Sequence, residues 1–132
     1  MSKWAKTQRD KSHLSIANNL RQRGFAVLDL ASVGEGCPDM LVSSGHYTAL
    51  VEVKEPDGVV YADQLMFIAT WIGDAMFASN ADEVVGAFQA GVFLSKAEKD
   101  KLASIALQTI KASTVKRPRL AVSKFAKLMQ VC

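Results

Sequence analysis

Three side chains in the first half of this 132-residue chain have the types and spacing for phosphoryl chemistry: Asp39, Glu52 and Lys54. Asp39 follows Pro38 at the head of a short apolar run, Met40-Leu41-Val42, while Glu52 and Lys54 flank Val53 at the end of another, Ala49-Leu50-Val51. Residues two apart on a strand point to the same face, so Glu52 and Lys54 share one. Ser43-Ser44-Gly45-His46 reads as a hairpin turn between the two runs, with His46 as a turn residue, and it brings Asp39 across to the pair. Two carboxylates and an ammonium would then meet at one end of a sheet. Carboxylate oxygens are hard ligands suited to Mg²⁺, which keeps several waters and takes phosphate oxygens from a substrate. A cation held there polarises a phosphoryl group and helps ionise a water, and a nearby lysine stabilises the developing charge. The same residues also fit a plainer arrangement, a strand-end ion pair between Glu52 and Lys54, because a charge in an apolar strand is costly unless paired or metal-bound.

The elements that must position these groups follow from the hydrophobic pattern. Leu14, Ile16, Ala17 and Leu20 recur at helical spacing between Thr7 and Arg23, with Gly24 as the stop. Phe25–Leu30 is β-prone, and Gly34-Glu35-Gly36-Cys37-Pro38 is a loop leading to Asp39. After the two motif-bearing strands, Ala62–Ile72 reads as a helix with Leu65, Ile68 and Ile72 on one stripe. Ala75–Ala78 reads as a fourth strand, and Asn80 or Ser79 caps a helix through Phe88. The order is α-β-β-β-α-β-α, a mixed sheet with helices on its faces. Ser95 and Glu98 form a capping box that opens a further helix bearing Leu102, Ile105, Ala106 and Ile110. Lys116-Arg117-Pro118-Arg119 breaks it, and Val122, Phe125 and Leu128 or Met129 suggest a last short helix. The division expected is a core over 1–94 and a basic helical C-terminal extension over 95–132, whose apolar stripe must cover the body or another subunit.

Composition bounds the function. Hydrophobic residues are 49% and charged residues 22%, an ordinary globular mixture, which excludes a disordered tail or a disulfide miniprotein. No apolar run reaches membrane-spanning length and no secretory signal is visible, so a cytoplasmic protein with reduced Cys37 and Cys132 is expected. The net charge of +3 conceals a split: residues 1–94 hold 7 basic and 11 acidic side chains, residues 95–132 hold 9 and 2. Lys111, Lys116, Arg117, Arg119, Lys124 and Lys127 are therefore candidates for binding a phosphate backbone, or else a solvated helical face.

Gly36-Cys37-Pro38-Asp39, then twelve residues, then Glu52-Val53-Lys54, resembles the signature of the PD-(D/E)XK nuclease superfamily. Gln64-Leu65-Met66-Phe67 on the next helix matches the Q-x-x-F/W context of the small phage and bacterial VRR-NUC and Holliday-junction-resolvase-like branch. The resemblance covers about residues 8–90. It implies a restriction-endonuclease-like mixed sheet with an αβββαβ core and a Mg²⁺-dependent endodeoxyribonuclease, with Mn²⁺ able to substitute. Asp39, Glu52 and the Val53 carbonyl would be metal ligands, Lys54 the catalytic lysine, and Gln64 a residue supporting the site or touching the substrate strand. The implied substrate is DNA, branched or a Holliday junction, cut by a homodimer in the cytoplasm of a bacterial or phage-infected host cell. The family's first helix often adds an acid. Here no clear acid matches, and His13 or Ser12 stands in its place. That departure leaves open a weak or inactive nuclease-fold module that binds nucleic acid, and beyond it a regulatory α/β protein whose tail binds a protein partner. Among the other residues near the motif, Cys37 and Trp71 are expected to pack, Glu35, Glu55 and Asp57 to be solvated, and Tyr61 to cap, pack or touch DNA.

Overall fold

A computed structural model describes the backbone of residues 3–130 and the side chains of residues 13–130. The chain runs α1 (Lys3–Gln22), β1 (Ala26–Asp29), β2 (Met40–Ser43), β3 (Thr48–Val53), β4 (Val59–Tyr61), α2 (Ala62–Thr70), β5 (Asp74–Ala78), α3 (Ala81–Ala90), α4 (Lys96–Lys111), β6 (Arg119–Ala121) and α5 (Val122–Gln130). The expected α/β class with a mixed sheet is present. Four strands lie in the order β1-β2-β3-β5, antiparallel except for the parallel β3–β5 pair. Among the described residues no helix is long and apolar enough to cross a membrane.

Alternation along β3 decides what each face of the sheet holds. Ala49 and Val51 join Met40, Val42, Met76 and Ala78 in a core closed by Leu20 of α1 and by Val84 and Phe88 of α3. Leu50 points the other way, into a second core with Leu65 and Ile68 of α2, Leu102, Ile105 and Ala106 of α4, and Phe125 of α5. Glu52 and Lys54 continue the even-numbered series, so they emerge on the face that α2 covers.

The helix ends follow their capping chemistry. Asn80 accepts from the Glu83 N–H at the head of α3 (2.9 Å), and Gly91 (φ 66°) ends it. Ser95 and Glu98 form the reciprocal box of α4, at 3.1 and 2.9 Å. α2 stops two residues before the expected Ile72, because Trp71 is already extended. Trp71, expected in the core, is 40% exposed and stacks on Phe67 one turn earlier, with ring centroids 6.2 Å apart.

Residues 95–130 add more than helices. β6 pairs antiparallel with β4, aligning Arg119 with Tyr61, and α4 packs along α2. The 116–119 break of the sequence pattern is the approach to this second sheet. Two links from this region fasten α2. Ala62 N–H donates to Pro118 O (2.9 Å), and Lys99, 7% exposed, donates to Trp71 O and Gly73 O at 2.7 and 2.6 Å. The ammonium thus satisfies two carbonyls just past the end of α2, where a cation also suits the helix dipole.

Candidate active site

The β2–β3 register pairs Met40 with Val51, so Asp39, one residue before β2, lies beside the end of β3. Val53 N–H donates to Asp39 Oδ2 at 2.8 Å and fixes that carboxylate. Lys54 N–H donates to Ala78 O on the β5 side. Neighbouring residues on a strand alternate their backbone polar groups, so the Val53 carbonyl points the opposite way, to the Asp39 side.

Glu52 is only 1% exposed, and its Oε2 lies 2.9 Å from Lys54 Nζ. Its other oxygen, Oε1, is buried with no hydrogen-bond partner. Burial pushes the Glu52 carboxyl up from its ordinary 4.5 to about 8; the Asp39 charge adds to the rise, Lys54 opposes it, and a hydrogen bond that protonated Glu52 makes to Asp39 raises it further. The pair of carboxylates is thus undercompensated by one ammonium.

Lys54 is held on three sides. Besides Glu52, it donates to Gln64 Oε1 (2.8 Å) and to Val59 O (3.2 Å). Gln64 Oε1 also accepts from the Tyr61 N–H at the N-cap of α2 (3.1 Å). Two donors on one atom fix the orientation of the amide. Lys54 O in turn accepts from Ser79 Oγ (2.8 Å), which ties the motif strand to the end of β5.

His13, at 5% exposure on α1, comes to the same place. Its Nδ1 is 4.0 Å from Asp39 Oδ1 and its Nε2 is 3.2 Å from Asp29 Oδ1. The second approach is off the line of a hydrogen bond, so Nε2 is buried without a bonded partner. The side chain of Ser12 lies outside the described residues, as does Cys132.

The structure therefore brings together Asp39, Glu52, Lys54, Gln64 and His13. It adds three groups the motif does not announce: Asp29, Ser79 and the Val59 carbonyl. Asp29 stands opposite Met40 in the β1–β2 register, which sets it next to Asp39. An acid at the end of a predicted strand was its only sequence signal.

The loop before Asp39 is shaped by three consecutive residues of positive φ: Gly34, Glu35 and Gly36. At Gly36 (φ 80°) a Cβ would stand 2.6 Å from Asp63 O, so the loop presses backbone to backbone on α2. Burial, then Glu52 and Asp39, push the Cys37 thiol up, which disfavours a nucleophilic thiolate and suits the packing role expected of it.

The basic residues of 111–127 do not reach this cluster through any bond. Lys111, Lys116, Arg117, Arg119, Lys124 and Lys127 are all exposed. Arg117 is engaged: it makes two bonds to Asp63 (2.9 and 3.1 Å) and lies 3.8 Å over the Tyr61 ring, with Arg119 at 5.5 Å. Tyr61 is therefore the N-cap of α2 and a platform for guanidinium groups.

Two carboxylates and a carbonyl are donors of the right hardness for Mg²⁺, and the orphaned Glu52 Oε1 is the kind of atom a cation would satisfy. Among the described residues no group of three or more His, Cys, Asp or Glu is placed to hold a metal ion. The donor set thus has room for substrate and water oxygens but is not a closed protein cage. Comparison with protein-family models, curated proteins and solved structures finds no match to this chain.

Proposed function

We propose that the protein is a Mg²⁺-dependent endodeoxyribonuclease of restriction-endonuclease-like fold, a PD-(D/E)XK nuclease acting on branched DNA. One observation carries this reading: two carboxylates, Asp39 and Glu52, share a buried sheet end with a lysine locked by Gln64 and Val59, and one Glu52 oxygen has no partner. A bound cation would satisfy that oxygen; without one, a proton on Glu52 bonded to Asp39 does so.

Asp39, Glu52 and the Val53 carbonyl would hold the ion, whose chemistry is to polarise the phosphoryl group and acidify a water. Val53 N–H keeps Asp39 aimed. Lys54 Nζ is held by three acceptors, which take all three of its N–H groups, so it would act on the phosphorane oxygens through its charge and not through a hydrogen bond. Gln64 holds Lys54 rather than the phosphate. His13 of α1 stands beside Asp39, and its imidazole is positioned to take or return a proton near that carboxylate. A homodimer would set one site on each strand.

The test is cleavage of branched, flapped and linear DNA with Mg²⁺ or Mn²⁺ by wild type, Asp39→Asn, Glu52→Gln and Lys54→Met. Loss of cutting in all three variants is expected, and equal cleavage by the four proteins would sink the reading. The departure from the family's sequence pattern around His13 favours a second reading, a nuclease-fold module that binds nucleic acid without cutting it. Metal-independent DNA binding with no cleavage by any of the proteins would select it.

A further inference from the structure

On the other side of the first turn of α2 lies an open groove of about 400 Å³. Met66 and Phe67 of α2, Ile110 and Pro118 form its apolar surface; Glu35, Asp63, Lys116 and Arg117 form its polar walls. We propose that this groove receives one unpaired base of a DNA strand, adjacent to the phosphate presented to Asp39 and Glu52. The proposal rests on the nuclease reading and specifies its substrate: DNA with an unpaired nucleotide at the cut.

The groove and the site are two sides of one contact. Asp63 walls the groove while its neighbour Gln64 holds Lys54, and Glu35 walls the groove four residues before Asp39. Gly36, pressed on Asp63, joins them. A strand lying across that contact would meet both.

The lining suits a base and not a phosphate. Partly buried Phe67 lines the groove and is backed from outside it by Trp71 (interplanar angle 17°), and an aromatic side chain so placed suits contact with an unpaired base of any sequence. The Glu35 carboxylate repels phosphate but accepts from an exocyclic amine such as cytosine N4. Asp63 is already neutralised by Arg117. Lys116, which makes no ion pair among the described residues, lines the groove with Arg117, where the flanking phosphates of an inserted nucleotide would lie. The volume falls in the range of small-molecule sites. Entry is cheapest for a base that is already unpaired, which selects flaps, gaps and junctions over intact duplex.

The test uses the full chain in EDTA, with fluorescence anisotropy on three probes: oligodeoxycytidylate, a blunt duplex, and that duplex with a deoxycytidylate flap. Phe67→Leu keeps an apolar side chain in the core contact but removes the ring, and Lys116→Glu alters only an exposed group. Wild type should bind the two unpaired probes about tenfold more tightly than the blunt duplex, and each substitution should remove most of that preference. Thermal unfolding of Lys116→Glu should match wild type, and Phe67→Leu, which loses its ring contact with Trp71, should stay cooperatively folded with a modestly lower midpoint. Equal affinity of wild type for all three probes, or a preference that survives both substitutions, overturns the proposal. Metal-dependent cleavage by wild type and by Asp39→Asn is read separately. A lost preference with intact, Asp39-dependent cutting removes the groove and leaves the nuclease. An intact preference with no cutting removes the nuclease and leaves the groove.

Discussion

Lys54 and Arg117 both bind the first turn of α2, one through Gln64 and the other through Asp63, and they do so in opposite ways. Lys54 is 9% exposed, and its three acceptors are all supplied from within the protein. Arg117 and Asp63 have side chains 45% and 41% exposed, with water available to either partner. A charge taken out of water needs a complete set of partners, and losing one strands the rest. An exposed pair gains little and can exchange its carboxylate for another anion. The inner cation is therefore built to stay, and the outer one to be shared.

The sharpest way to break this contrast is at Lys54. Lys54→Met should lower cleavage by about 10²–10³, the usual cost of removing a fixed electrostatic donor. The double variant with Glu52→Gln should be far from additive in urea titrations, because the pair acts as a unit. Additive effects would mean that the two groups are independent.

Gly36→Ala comes next. The left-handed backbone alone costs about 1–2 kcal/mol for a residue with a Cβ, and the Cβ meets Asp63 O at 2.6 Å. Both the urea midpoint and the cleavage rate should fall. An unchanged midpoint would show that the loop does not press on α2.

A smaller effect is expected with pH. The folded state favours protonated Glu52, so this group's contribution to stability is fully present below pH 4.5 and is lost as pH rises through about 8. In EDTA the urea midpoint should drift down across that window, and Glu52→Gln should flatten the drift. Mg²⁺ should restore stability most at the alkaline end, where no proton has to be expelled for it to bind.

The smallest change should follow Arg117→Ala. Loss of an exposed ion pair costs about 0–1 kcal/mol. The variant's DNA affinity should nevertheless fall and its salt dependence flatten. A large loss of stability would place Arg117 with Lys54 and erase the distinction.

Much of the sheet was legible because short apolar runs between breaker clusters mark buried strands. Ala49–Lys54 announced both its buried face and the shared face of Glu52 and Lys54, and Ser95 with Glu98 announced α4. The strands β4 and β6 were not legible, since three residues give no period and their pairing joins segments far apart in sequence. The place of Asp29 beside Asp39 is set by strand register, which no local pattern encodes. Lys99 reads as a solvated helix lysine until the end of α2 is laid against it. Trp71 was misplaced because the apolar stripe of α2 runs on past the point where its backbone leaves the helix.

The fastening of α2 has a consequence for synthesis. Its C-terminal end waits for Lys99, and its N-terminal turn waits for Arg117 and Pro118. Chains emerge from the ribosome N-terminus first, so Asp39, Glu52 and Lys54 are exposed to the cell well before those fasteners arrive. Until then Gln64 has no fixed position from which to restrain Lys54. A chain stalled short of residue 117 would lack these fasteners of α2, and the order of translation itself delays them until residues 99–118 have been made.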